Sequence, residues 1–142
     1  MKPLVLALIV FFLAYVPLRA QNPGYQPDPR WQAPAAAASQ ANPLAVKPQA
    51  AAGGRKLFLR NCVACHGANG NGREDKHSAD LQLPVVQGQS DGTLFWKITN
   101  GNAGRGMPSF SKLPALERWQ IVLYIRTLQP TTPAVTAPGE RN

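Results

Sequence analysis

Cys62-Val63-Ala64-Cys65-His66 joins two thiols to an imidazole, and the rest of the chain takes its meaning from that stretch. Cysteines three apart lie one helical turn from each other on the same side of the chain. Each can then form a thioether with one vinyl group of a haem, which is the chemistry that the Cys-x-x-Cys-His spacing marks. The next residue, His66, is placed to reach the iron from below the ring.

Three other readings compete. A structural disulfide between the only two cysteines would close so short a loop that it removes little unfolded-state entropy, and it gives His66 no role. A thioredoxin-like redox pair wants a strand before it, whereas Arg55 to Asn61 reads as helix. A zinc site needs further ligands, and only His77 remains as a soft donor outside the motif, so Asp75 or Asp80 would have to join it.

The chain has 142 residues, 44% of them hydrophobic, and its apolar residues are spread unevenly. Met1-Lys2 followed by the uncharged run Leu4 to Val16 and by Leu18-Arg19-Ala20 reads as a secretory signal over residues 1–20, with Gln21 as the mature N-terminus. The run is shorter than the roughly 20 residues of a membrane span. If it is retained rather than cleaved, it serves as a membrane anchor. Export suits thiols that must meet haem vinyls in the periplasm or another extracytoplasmic space.

From Gln21 to Ala52 the composition is Pro, Ala, Gln and Asn, with prolines at 23, 27, 29, 34, 43 and 48. This pattern predicts an extended, partly polyproline tether that buries no core. Tyr25 and Trp31 are its candidate contact points. The stretch 131–142 has the same character and reads as a disordered tail.

One folded unit therefore spans 53–130. At about 80 residues it needs a staple or cofactor to complete its core, and a haem would supply one. A first helix is predicted from Gly54 through Ala64, with Gly54, Phe58 and Cys62 on one stripe and Arg55, Lys56 and Arg60 on the solvated face. The polar loop Gly67 to Lys76 follows, and its glycines match no phosphate-binding pattern. His77 beside it reads as a surface residue.

Ser90-Asp91 caps a second helix that stops at Asn100-Gly101. Trp96 on it has two readings, a core residue or a donor to a haem propionate. The third helix runs from Pro114 to Pro130 with Leu116, Trp119, Ile121, Val122, Leu123, Ile125 and Leu128 at helical spacing. Ile121 and Tyr124 are the natural partners of Gly54 and Phe58, so the first and last helices should cross there. Met107 is the only methionine besides the initiator and sits in the Gly/Pro-rich loop Gly104 to Phe110 rather than on an apolar helix face. Pro108 fixes the path after it, which suits presenting a thioether as the distal iron ligand.

These residues together resemble the class I cytochromes c of bacteria. Cys62, Cys65 and His66 match the attachment motif, Met107-Pro108 the distal-ligand segment, and Trp119 with Tyr124-Ile125-Arg126 the C-terminal helix pattern. The resemblance covers Gly53 to about Leu128. Pro114 departs from it, standing where related proteins often carry a Ser or Thr cap, and Pro84 is aligned with the proline behind the proximal histidine. It implies an all-α fold in which three main helices wrap one covalent haem c. The implied function is single-electron transfer between periplasmic or membrane redox partners, without catalysis by the chain itself. A haem-based enzyme or gas sensor is the alternative if Met107 leaves the distal site open.

The net charge of +8 and pI near 10.1 raise nucleic acid as a partner, but export and the lack of a base-reading module exclude it. The charge instead suggests that Arg73, Lys76, Arg105 and Lys112 surround a haem edge and steer an acidic redox partner. Arg105 has a second reading as partner of a propionate.

Overall fold

The computed structural model describes residue 25 and residues 27–129. The expected signal (1–20) and tail (131–142) lie outside the described residues. Among the described residues the regular structure is helical throughout: α1 (Ala35–Ala38), α2 (Ala51–Asn61), α3 (Val63–His66), α4 (Pro84–Gln87), α5 (Asp91–Asn100) and α6 (Ala115–Arg126), with short 3-10 turns between them. This is the all-α architecture that the sequence predicts.

The packing is set by α2 against α6, and a glycine decides how close they come. A Cβ on Gly54 would lie 1.9 Å from the Gln120 carbonyl oxygen of α6, so only a residue without a side chain permits this crossing. One turn on, the Phe58 and Tyr124 rings meet with centroids 5.1 Å apart at 58°. Phe58, Ile121 and Val122 are shielded almost completely, each contributing roughly 1.5–3 kcal/mol of apolar burial. The predicted crossing of first and last helices is thus present. The first helix differs from expectation in being two pieces: it starts three residues earlier, and Cys62 (φ −118°) breaks it before α3.

α5 begins as its sequence suggests, with the Ser90 hydroxyl accepting from the Thr93 amide at 3.1 Å. Asp91 in its first turn pairs with Arg126 at 2.8 Å, and Arg126 also donates to the Gln87 and Gln89 carbonyls. That guanidinium joins the end of α6 to the α4–α5 connection. The Trp119 ring stacks on Phe95 at 3.9 Å, closing the α5–α6 contact. Pro114 is the cap residue of α6 rather than part of its first turn, and no side chain caps that end. Leu116, predicted on the apolar stripe, is 58% exposed, because the first turn of α6 extends past the core.

The free, extended tether expected over 21–52 differs from what its described part does. Residues 35–38 form α1, which packs on α5, and Asn42 is buried and donates to the Trp119 carbonyl at 3.3 Å. Leu44 packs against the core, and backbone carbonyls and small side chains make most of the other contacts. The same packing reaches the residues that line the central cavity.

Candidate haem site

Cys62, Cys65, His66 and Met107 all line one cavity between α2, α5, α6 and the loops that follow α3 and α5. Its walls are largely apolar: Phe58 comes from α2, Leu94 and Ile98 from α5, and Ile121 and Ile125 from α6. Their positions follow from the helical spacing of those apolar residues, which turns one face of each helix inward.

The motif side of the cavity is held by its own backbone. The His66 amide donates to the Cys62 carbonyl at 2.9 Å, closing the turn that brings both sulfurs to the same side. The loop after α3 then folds back on it. The Gly72 amide donates to the His66 carbonyl at 2.9 Å, and the Ser78 hydroxyl donates to the Cys65 carbonyl.

His66 Nδ1 lies 3.0 Å from the Ala79 carbonyl oxygen. A carbonyl only accepts, so Nδ1 carries the proton and Nε2 keeps its lone pair. Burial holds the imidazole below the usual histidine range and so favours its neutral form, while the Ala79 hydrogen bond works in the opposite direction and offsets part of this. Burial, with a smaller contribution from Cys65, pushes the Cys62 thiol up to about 12. Cys62 and Cys65 are not joined in a disulfide. Among the described residues no three His, Cys, Asp or Glu side chains gather as a metal site.

Met107 is carried by the loop after α5. Asn102 and Met107 form an isolated antiparallel bridge, the Asn102 amide donating to the Met107 carbonyl at 2.8 Å and the Met107 amide returning to Asn102 at 3.0 Å. The Phe110 amide donates to the Ile98 carbonyl at 3.1 Å, tying the loop's far end to α5. Two thiols, an imidazole with a bare Nε2 and a thioether around an apolar slot form a donor set that fits a covalently attached haem.

Several expectations change here. Pro84 opens α4 and does not line the cavity, and the carbonyl that orients the imidazole is Ala79's. Trp96 is half-buried but is not a lining residue; Trp31, from the segment expected to be a tether, takes a place in the wall instead. Of the four cations singled out, Lys76 and Arg105 are exposed and border the cavity, whereas Arg73, which pairs with Asp75 at 2.9 Å, and Lys112 are not lining residues. His77 is exposed, yet it borders the cavity, with its backbone at φ 49°.

Asp28, Lys97 and Asn102 are lining residues that the sequence reading did not assign, and Tyr25, read there only as a contact point of the tether, joins them. The available signal was Trp31, an aromatic N–H in a segment with nothing of its own to pair it with. Burial raises the Tyr25 phenol, with Arg105 opposing, and burial lowers Lys97.

The family described as cytochrome c oxidase, cbb3-type, subunit III matches residues 49–125, more than half of the chain. The chain belongs to this family of c-type cytochromes. This cytochrome is 44% identical over 55 residues to the cbb3-type cytochrome c oxidase subunit FixP of Bradyrhizobium sp. (strain ORS 278), covering 38% of the chain and 19% of the relative. It is 33% identical over 81 residues to the subunit FixP of Azorhizobium caulinodans, covering 56% and 27%. Against the subunit CcoP of Azospirillum sp. (strain B510) it is 37% identical over 86 residues, covering 51% and 27%. The cytochrome therefore spans about a fifth to a quarter of the length of these relatives. No solved structure matches it significantly. Membership of the family makes the chain a c-type cytochrome domain.

Proposed function

We propose that the chain is a one-electron carrier with a single haem c, attached through Cys62 and Cys65 and ligated by His66 and Met107. The observation that carries this reading is that those four side chains, scattered over 46 positions of sequence, line one apolar cavity. When bound, the haem supplies a one-electron iron couple whose potential a methionine ligand raises relative to bis-histidine coordination.

The chain's own residues do the rest. The two cysteines retain the group, the Ala79 carbonyl orients His66, and Phe58, Leu94, Ile98, Ile121 and Ile125 keep water from the slot. With Met107 bound, both axial positions are taken, so the chain passes electrons and does not itself transform a substrate.

Residues 1–20 act in this reading as the export signal, or as an anchor if retained, and the folded unit works on the extracytoplasmic side. Among the described residues no helix is long and apolar enough to cross a membrane. The relatives are named as oxidase subunits, which supports a place in a respiratory chain, as a module of such an assembly or as its redox partner. Exposed Lys76 and Arg105 at the cavity rim suit an acidic docking face on that partner.

Two measurements test the reading. The spectrum of denatured protein in alkaline pyridine should show a haem with both vinyl groups saturated, one per chain. The native ferrous protein should not bind carbon monoxide at low concentration. Ready binding would replace the carrier with the haem-based enzyme or gas-sensor reading, in which the distal site is open.

A further inference from the structure

We infer that residues 27–50 form a strap across α5 that fixes the loop bearing Met107, and that Trp31 is the positioning residue through which it acts. The inference rests on the reading of Met107 as distal ligand. The family match begins at residue 49, so nearly all of the strap lies outside the shared region.

The strap is fastened at three places. Nearest α2, buried Asn42 reaches the Trp119 carbonyl, and its own Oδ1 accepts from the Leu44 amide at 2.9 Å. Next, α1 sits on the first turn of α5. The Ser90 hydroxyl donates to the Ala38 carbonyl at 2.6 Å, and a Cβ on Gly92 would lie 2.1 Å from the Ala37 carbonyl oxygen, so this is contact with backbone. The chain then runs about 15 Å, the length of the ten residues of α5, to the helix's other end. There Trp31 Nε1 donates to the Gly101 carbonyl at 2.9 Å, and Lys97 Nζ lies 4.6 Å from the indole centroid.

The Gly101 carbonyl and the Asn102 amide belong to one planar peptide unit. Trp31 holds that plane by its oxygen, and the Met107 carbonyl holds it by its N–H. Rotating the plane breaks both bonds together. Gly101 has φ 66°, a conformation whose unfolded alternatives are many, so the plane depends on outside bonds for its orientation. Asp28 and Asn102 line the same cavity as Trp31. A neutral thioether holds its place on iron largely through the local concentration that its loop enforces, and the indole hydrogen bond sharpens that concentration.

The test uses the full haem-loaded protein. Trp31→Phe keeps an aromatic ring beside Lys97 and removes the N–H donor together with one ring of the indole. Ferric protein is titrated with imidazole, which competes for the distal position, and backbone hydrogen exchange is followed at Asn102 and Met107. Val122→Ala serves as the control, because Val122 is a fully buried core residue that does not line the cavity. Losing one neutral hydrogen bond should raise imidazole affinity on the order of fivefold in Trp31→Phe and speed exchange at Asn102. The control should lower the melting temperature and leave imidazole affinity as in the parent. Unchanged imidazole affinity in Trp31→Phe, or an equal change in Val122→Ala, overturns the inference. Met107→Ala separates the two readings. If it binds imidazole no better than the parent, Met107 is not the ligand, and exchange at Asn102 alone then decides for or against the strap.

Discussion

His66 and Met107 reach the cavity by different means, and their replacement should show it. His66 is held by a short helix and one carbonyl, whereas Met107 depends on a two-residue bridge. Met107→Ala should therefore leave haem covalently attached, lower the reduction potential and let carbon monoxide bind the ferrous protein. Retention of the sulfur-to-iron charge-transfer band in the ferric variant would show that another side chain is the ligand. Gly54 is equally constrained, by packing alone. Gly54→Ala places a methyl against the Gln120 backbone, which no rotamer change can relieve, and should cost about 3 kcal/mol. For a domain of this size that is a fall in melting temperature on the order of 15 °C, readable by circular dichroism.

At the scale of the element, α1 and α5 test how much of the N-terminal segment belongs to the fold. Gly92→Ala would force α1 away from the Ala37 carbonyl contact while leaving the Ser90 cap of α5 in place. The expected outcome is a loss of about 1–3 kcal/mol, with proteolysis between residues 27 and 50 becoming faster than cleavage elsewhere. Uniformly faster cleavage throughout the chain would mean that α5 itself, not the strap, is what the substitution disrupts.

At the scale of the whole molecule, the core is arranged around a slot, and the protein needs what fills it. Replacing both Cys62 and Cys65 with Ser should abolish covalent haem capture and leave a chain without cooperative thermal unfolding, because a unit of about 80 residues buries too little apolar surface without its ring. A sharp calorimetric transition in the haem-free variant would refute that dependence. The charge operates at the same scale. Lys76 and Arg105 border the cavity whereas Lys112 does not, so reversal of charge at Lys76 should slow electron transfer to an acidic partner more than reversal at Lys112. The parent rate should fall steeply with salt as the Debye length shrinks from about 10 Å at 0.1 M to about 3 Å at 1 M. A rate indifferent to ionic strength would assign the basic charge to solubility instead.

The attachment motif, the second helix with its Ser90 cap and the apolar stripe of the last helix are local patterns, set by spacing within a few turns, and they were readable from the sequence. The Gly54–Phe58 crossing with α6 was readable too, because helical period and a missing side chain together specify a contact face. What only the tertiary structure decided is where backbone carbonyls meet side chains far away in sequence. Ala79 rather than the neighbourhood of Pro84 faces His66, Trp31 rather than Trp96 enters the cavity wall, and a Pro/Ala-rich segment packs although it has almost no apolar side chains to bury. The reason is common to all three. Every residue carries the same carbonyl, so composition cannot say which one a distant imidazole, indole or glycine face will meet, and only the path of the folded chain selects it.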